Sequence, residues 1–232
     1  MADTKQSAGV VAGADQAQDP LQGDDRLPVY FGDAWPAVSG FAELLREHGA
    51  VRGLLGPNEA SRLWERHLLN SAAGAALLPP VGTLVDLGSG GGLPGIVLAA
   101  MRPDAHVILL EPMERRTEWL RFVVEELQLG NAEVVRGRAE DVVGQLMADA
   151  LIARAVSALD KLFRWAAPLV RPGGELFALK GSKAAEEVAA ARGESQKSGW
   201  SDVRVVGATT ISGVEPTHVV RAVRTKGSAR VR

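Results

Sequence analysis

The strongest chemical signal in the chain is the stretch LVDLGSGGGLPGIVLAA, where Asp86 precedes Gly88, Gly90, Gly91, Gly92 and Gly95 directly behind an apolar run. A glycine inside an element costs about 1 kcal/mol relative to alanine, so five together imply a ligand that must approach bare backbone. A second carboxylate, Glu111, ends the apolar run HVILLE, where it can accept hydrogen bonds from a ribose diol. Two glycine registers compete. Gly88, Gly90 and Gly92 form G-x-G-x-G, which ends the strand at Leu87 and leaves Asp86 at its tip to take an ammonium group or a loop N–H. Gly90, Gly92 and Gly95 form G-x-G-x-x-G, the dinucleotide fingerprint, a weak signal alone; it would extend the strand through Gly88 and Ser89 and bury Asp86. Nicotinamide dinucleotides and S-adenosylmethionine both carry a ribose diol. Only the latter also presents an amino-acid ammonium to the first loop and lacks a pyrophosphate requiring a helix N-terminus.

Further polar residues stand at the ends of apolar segments. Glu140, after a third such run, can accept the exocyclic amine of an adenine or simply complement a helix start. Arg154 closes ALIAR, where an unpaired buried cation would be costly; it belongs to a site or to a structural ion pair. His67, Asn70 and Ser71 lie at i, i+3 and i+4 on one helical face, as cleft lining or as packed residues. Lys180, near the end of GELFALKG, can meet phosphate or remain a surface residue. The four histidines, His48, His67, His106 and His218, show no H-x-x-x-H spacing, and no metal site is expected.

The elements that must position these residues alternate in type. Strands TLVDLG, HVILLE, AEVVRG, ALIARAV and GELFALKG are separated by helical stretches beginning near Pro94, over PMERRTEWLRFVVEELQL, near 139–147, over LDKLFRWAAPLV and near 183–192. This alternation predicts a doubly wound α/β fold with a mostly parallel sheet, its ligand lying beyond the carboxyl ends of the strands. The last runs, DVRVVGATTI and THVVRAV, have a short connection without a helix and predict an antiparallel edge hairpin. Residues 1–25, with five Asp and one Lys, are expected to be a disordered extension, and 26–80 a helical preface with Asn58 as a cap. Residues 81–224 form the sheet domain and 225–232 a basic tail. Around that tail Arg221, Arg224, Lys226, Arg230 and Arg232 follow Glu215 without another acid, a concentration that the net charge of −2 conceals. The chain has no cysteine, which excludes disulfides, thiolate metal sites and a cysteine nucleophile. It shows neither a signal peptide nor an apolar stretch approaching the roughly 20 residues that span a bilayer, so a soluble cytoplasmic protein is expected.

Taken with EP at 111–112, GRAED at 137–141, ARAVSALDKL at 153–162, ALKG at 178–181 and ERHLLNS at 65–71, the glycine stretch resembles the small-subunit (16S) ribosomal RNA guanine-N7 methyltransferases, also called the glucose-inhibited division protein B family. The resemblance runs from about residue 30 to 224. It implies a Rossmann-like class I methyltransferase using S-adenosylmethionine, with cofactor contacts on Gly88, Leu93, Ala139, Glu140 and Arg154. Asp86, Gly90, Gly92 and Glu111 join that set from the residue reading, with His67, Asn70, Ser71 and Lys180 on the substrate side and Arg154 as the catalytic candidate. Family members often carry Asp at the position of Asn70, and the acidic extension is outside the pattern. The implied substrate is a guanine in a loop of the decoding region of 16S rRNA, on naked rRNA or a small-subunit precursor, and the expected state is a monomer. N7 carries an exposed lone pair, so no general base is needed. The fourth strand lacks the Asn/Asp-Pro-Pro-aromatic motif of exocyclic-amine methylation. A paired guanine would be inaccessible, because the major groove of A-form RNA is deep and narrow. The competing readings are an NAD-dependent oxidoreductase, for which no Tyr-x-x-x-Lys pair exists around the single tyrosine Tyr30, and a non-catalytic RNA-binding module on the same fold.

Overall fold

The computed structural model describes residues 19–56 and 59–225. Seven strands, β1 (Gly82–Leu87), β2 (Ala105–Glu111), β3 (Ala132–Arg136), β4 (Ala148–Arg154), β5 (Val170–Lys180), β6 (Trp200–Ala208) and β7 (Thr217–Arg224), form one sheet in the order β3-β2-β1-β4-β5-β7-β6. The first five are mutually parallel. Strand order reverses about β1, so the ends of β1 and β4 diverge and open a crevice there. The expected hairpin forms with a twist in its order: β7 inserts beside β5 and is antiparallel to both neighbours, leaving β6 at the edge.

The central strands are covered on both faces, which is why they read as continuous apolar runs. Successive side chains divide between two cores: Leu84, Ala150, Ile152, Phe177 and Leu179 enter one, Val85, Leu151, Ala153, Leu176 and Ala178 the other. Helices α1 (Arg26–Phe31), α2 (Trp35–His48), α3 (Asn70–Ala75), α4 (Gly95–Met101) and α5 (Glu114–Glu126) cover the first face through Leu27, Phe41, Leu45, Ala72, Leu98, Trp119 and Leu120. A 3₁₀ turn at Ala139–Val142 with α6 (Leu159–Ala166) and α7 (Ala184–Lys197) covers the second. The turn at 139 is shorter than the helix anticipated to 147.

The segment before α1 is ordered further upstream than its composition predicts. Asp19 is buried, its carboxylate accepting the amide protons of Trp64 at 2.8 Å and Leu21 at 3.0 Å, so residues 19–25 belong to the fold. Residues 1–18 and the expected cap Asn58 lie outside the described residues. At the other end, Arg221 pairs with Glu175, and buried Arg224 donates to the carbonyls of Ala167 at 2.8 Å and Gly199 at 3.0 Å. Both cations therefore serve the sheet. Lys226, Arg230 and Arg232 lie outside the described residues. Between 64 and 69 the chain forms a π-helical turn that runs into α3. Among the described residues no helix is long and apolar enough to cross a membrane.

The β1–α4 junction depends on Gly95. A Cβ there would stand 2.3 Å from Leu109 Cδ2 and 2.4 Å from Asp86 Oδ2. Overpacking a buried site of this kind costs about 1–3 kcal/mol. Gly95→Ala should lower the unfolding free energy in urea by that amount, and a variant as stable as the parent would show that helix and strand do not meet this closely.

Candidate functional site

At the carboxyl end of β1 the chain turns at Leu87, in the register that leaves Gly88 outside the strand. Gly88 and Gly90 have φ of +73° and +54°, backbone in which glycine alone is unstrained. The loop is tied to the neighbouring strand on both sides. Gly88 N–H donates to the Leu110 carbonyl at 2.8 Å, and Gly90 N–H donates to Glu111 Oε2 at 2.9 Å. Glu111 Oε1 accepts the Met113 amide at 2.9 Å, so the Glu111 carboxylate is first of all a clamp on the loops after β1 and β2.

Asp86 differs from the expectation of an open strand tip. Its side chain is fully buried and turns inward, Oδ2 accepting the Gly95 amide at 2.9 Å while Oδ1 has no partner among the described residues. This leaves no surface for an ammonium ion. Burial pushes its carboxyl up to about 7, against the opposing pull of the Gly95 hydrogen bond and of Arg154. A carboxylic acid with one oxygen unpaired is the cheaper form of such a group at neutral pH and below.

Two cavities open at the carboxyl ends of the strands, the first against this loop and the second against the ends of β4 and β5. The first, about 330 Å³, is lined by Gly88, Glu111, Ala139, Glu140 and further residues that include Arg116 and Trp165. The second, about 540 Å³, is lined by Glu59, Arg66, His67, Asn70, Arg154, Lys180 and neighbours. Ala155 lines both. It stands at φ +54°, a conformation that costs a non-glycine residue about 1 kcal/mol or more and clusters at functional sites.

The structure thus divides the residues singled out from sequence. Gly88, Glu111, Ala139 and Glu140 meet in the first cavity; His67, Asn70, Arg154 and Lys180 meet in the second, so Arg154, expected among the cofactor contacts, stands with the substrate-side candidates because its guanidinium is drawn to Arg66, His67 and Asn70. Five line neither cavity: Asp86, buried as described above, Gly90, Gly92, Leu93 and Ser71. Gly92 faces the interior, where a Cβ would stand 2.7 Å from Ile96 Cγ1 and 3.0 Å from Phe41 Cζ. Leu93 packs its side chain into the core. Ser71 is buried and donates to the His67 carbonyl at 2.6 Å, a contact within the helix that removes it from the cleft. At Gly90 a Cβ would meet Arg116 Nη1 and the Gly88 carbonyl, both at 3.8 Å, an ordinary contact.

Arg154 is held from the π-helical turn. Its Nη1 donates to the Arg66 carbonyl at 3.1 Å and to Asn70 Oδ1 at 3.4 Å, and its Nη2 meets His67 Nδ1 at 2.9 Å. Burial lowers the guanidinium to about 10, offset by the charges of Asp86 and Glu59, and the group stays protonated at neutral pH. Lys180 Nζ donates to Glu187 Oε2 at 2.7 Å and the Ser157 carbonyl at 3.0 Å, so its charge is balanced within the protein.

Sequence reasoning missed Arg116, Trp165, Glu59 and Glu187. Arg116 had one signal, a cation in the first turn of α5 that opposes the helix dipole. Its Nη1 lies 3.9 Å from Glu111 Oε2, and its buried Nε has no partner among the described residues. Among the described residues no group of three or more His, Cys, Asp or Glu could hold a metal ion.

The chain is similar to known proteins over most of its length. The family described as "GidB: rRNA small subunit methyltransferase G" matches residues 35–213. The "Ribosomal RNA small subunit methyltransferase G" of Thermobifida fusca is 52% identical over 179 residues, 76% of each chain. Its namesake from Mycolicibacterium paratuberculosis is 46% identical over 228 residues, 90% of each chain. Among solved structures, M. jannaschii TYW2 in complex with AdoMet superposes with a TM-score of 0.54 at 19% identity, covering 72% of this chain and 78% of that one, a likeness of fold.

The buried acid yields a pH prediction. Asp86 has a folded-state value near 7 against an ordinary 3.8, so between those values the native state holds a proton that the unfolded state has released. Its contribution to stability then falls as pH rises, by at most about 1.4 kcal/mol per pH unit. Asp86→Asn cannot titrate, so in urea melts its stability relative to the parent should increase from pH 4 to pH 7. A difference independent of pH would show that Asp86 is ionised throughout.

Proposed function

Because the chain belongs to the rRNA small subunit methyltransferase G family, we propose that it transfers a methyl group from S-adenosylmethionine to N7 of a guanine in a loop of 16S rRNA. The observation that carries this reading is the pair of cavities sharing Ala155 as a wall, one suited to an adenosyl cofactor and the other to a base. The first fits the cofactor chemically. Glu111 and Glu140 supply acceptors for a diol and an amine, Pro112, Met113, Ala139 and Val156 supply apolar walls, and Gly88 borders the space without a side chain. Bound there, S-adenosylmethionine supplies an electrophilic sulfonium methyl.

The competing dinucleotide reading needs free amides at the start of α4 for a pyrophosphate. The Gly95 amide is occupied by Asp86, and the Ile96 amide by the Gly92 carbonyl at 2.8 Å. That arrangement favours a cofactor without phosphates. On the other side of Ala155, Arg154 offers a charged donor to the RNA, and guanine N7 needs no proton removed. His67 has both ring nitrogens engaged within the protein and is not free to act as a base. The residues of the second cavity therefore orient the base, and in-line positioning is an effect large enough to carry such a reaction. We assign the substrate to a splayed or loop nucleotide, on rRNA or a small-subunit precursor. A cytoplasmic monomer that acts without a metal fits this reading.

The two-cavity arrangement predicts a separation of effects. Glu111→Gln loses charge-assisted acceptors of about 1.5–3 kcal/mol each and should weaken S-adenosylmethionine binding at least about tenfold by calorimetry. Arg154→Ala should leave that affinity unchanged and slow methyl transfer to 16S rRNA by about a hundredfold. Loss of cofactor affinity in Arg154→Ala would move the arginine to the cofactor side. NAD binding, or absence of transfer by the parent protein to both rRNA and small subunits, would refute the assignment.

A further inference from the structure

The second cavity contains a hydrogen-bonded chain that the methyl-transfer reading leaves unused. Glu59, in the turn before the π-helical segment, contacts His67 Nε2 through Oε2. His67 in turn presents Nδ1 to Arg154 Nη2 at 2.9 Å. Arginine has only donors, so Nδ1 must carry the lone pair of this contact. A neutral imidazole then places its single proton on Nε2, and that proton is what Glu59 accepts. The three residues fit one protonation pattern: carboxylate, neutral Nε2–H imidazole, guanidinium.

Resting on the methyltransferase reading, we propose that Glu59 and His67 are positioning residues that fix the guanidinium of Arg154 against the RNA side of the Ala155 wall. Glu59 selects the tautomer, and the tautomer supplies the acceptor that turns Arg154 toward the cavity. Nη1 is anchored separately on the Arg66 carbonyl and Asn70, while Nε–H and one Nη2–H have no protein acceptor among the described residues and remain for a substrate oxygen. The π-helical turn helps explain why the contact forms, since it brings the Arg66 carbonyl, His67 and Asn70 together onto one guanidinium.

Protonating His67 would place N–H against N–H at Arg154 and break the chain. The charges facing the imidazole are Glu59 from the preceding turn, Arg66 beside it and Arg154 from β4, with Lys180 from β5 and Glu187 from α7 in the same cavity. Burial and the Arg154 charge hold the imidazole below its ordinary value, and Glu59 opposes them. Methyl transfer should therefore be flat through neutral pH and fall only on the acid side of an ordinary histidine.

The test uses the full chain. On ¹⁵N-labelled protein, the His67 ring, assigned by its loss in His67→Asn, should give a protonated Nε2 and an unprotonated Nδ1 at neutral pH; the opposite tautomer would overturn the proposal without any assay of activity. In transfer to 16S rRNA, Glu59→Ala should lower kcat by about tenfold to a hundredfold, a misplacement effect, with S-adenosylmethionine affinity unchanged. Glu59→Gln keeps an acceptor for Nε2–H and should restore most of that loss, while its acid limb moves to lower pH because the charge that favours protonation is gone. A parental kcat in Glu59→Ala, or an acid limb unmoved in Glu59→Gln, would contradict the relay. A parent protein that shows the Nε2–H tautomer but methylates no rRNA would refute the enzymatic reading instead.

Discussion

Asp86 accepting the amide proton of Gly95 is the contact on which the geometry of the site depends. It closes the loop between β1 and α4 from inside, and it is possible only because Gly95 has no Cβ to separate the helix from Leu109 and from the carboxylate itself. With α4 held this close, Gly92 is pressed against Phe41 and Ile96, and the loop has only its outer part, around Gly88 and Gly90, to present to a ligand. Glu111 fixes that outer part by accepting the Gly90 amide. Burying a carboxyl in this way has a cost, visible in the unpaired Oδ1 and in the raised affinity for a proton.

Two cavities border Ala155, and only the first touches this loop. The carboxyl ends of β1 and β2 with the turn at Ala139 enclose one, and the π-helical turn with the ends of β4 and β5 encloses the other. The N-terminal helices are thus more than a preface to the sheet. They complete one core, and the segment from Glu59 to Asn70 supplies the groups that hold Arg154. Ala155, in a backbone conformation that alanine adopts at a cost, keeps the end of β4 turned so that it borders both spaces.

Much of this was legible in the sequence. Parallel strands buried on both faces announce themselves as short apolar runs, and the polar residues singled out at or beyond their carboxyl ends, Glu111, Glu140 and Arg154, line the two cavities. The turn after Leu87 followed from the poor strand propensity of Gly88 and Ser89. What remained hidden depends on direction and distance. Nothing in LVDLG states that Asp86 faces inward, and a helical spacing argument cannot anticipate a π turn that carries Ser71 into the core while His67 and Asn70 reach the cleft. Glu59 lies in a turn outside the helical segment that carries His67, so no helical spacing argument could pair the two. The positive φ of Ala155 has no counterpart in the residue type. The basic series near the C-terminus misled in part, because charge alone does not distinguish Arg224, buried beneath Trp200, from a cation in solvent.

Cofactor and RNA are assigned to opposite sides of Ala155, an arrangement that a crystal structure of the full chain with S-adenosylhomocysteine would reveal. Density is expected against Gly88, Glu111, Ala139 and Glu140, with the Glu59–His67–Arg154 chain intact and its cavity free of the ligand. Density for the ligand among His67, Arg154 and Lys180 would overturn the assignment.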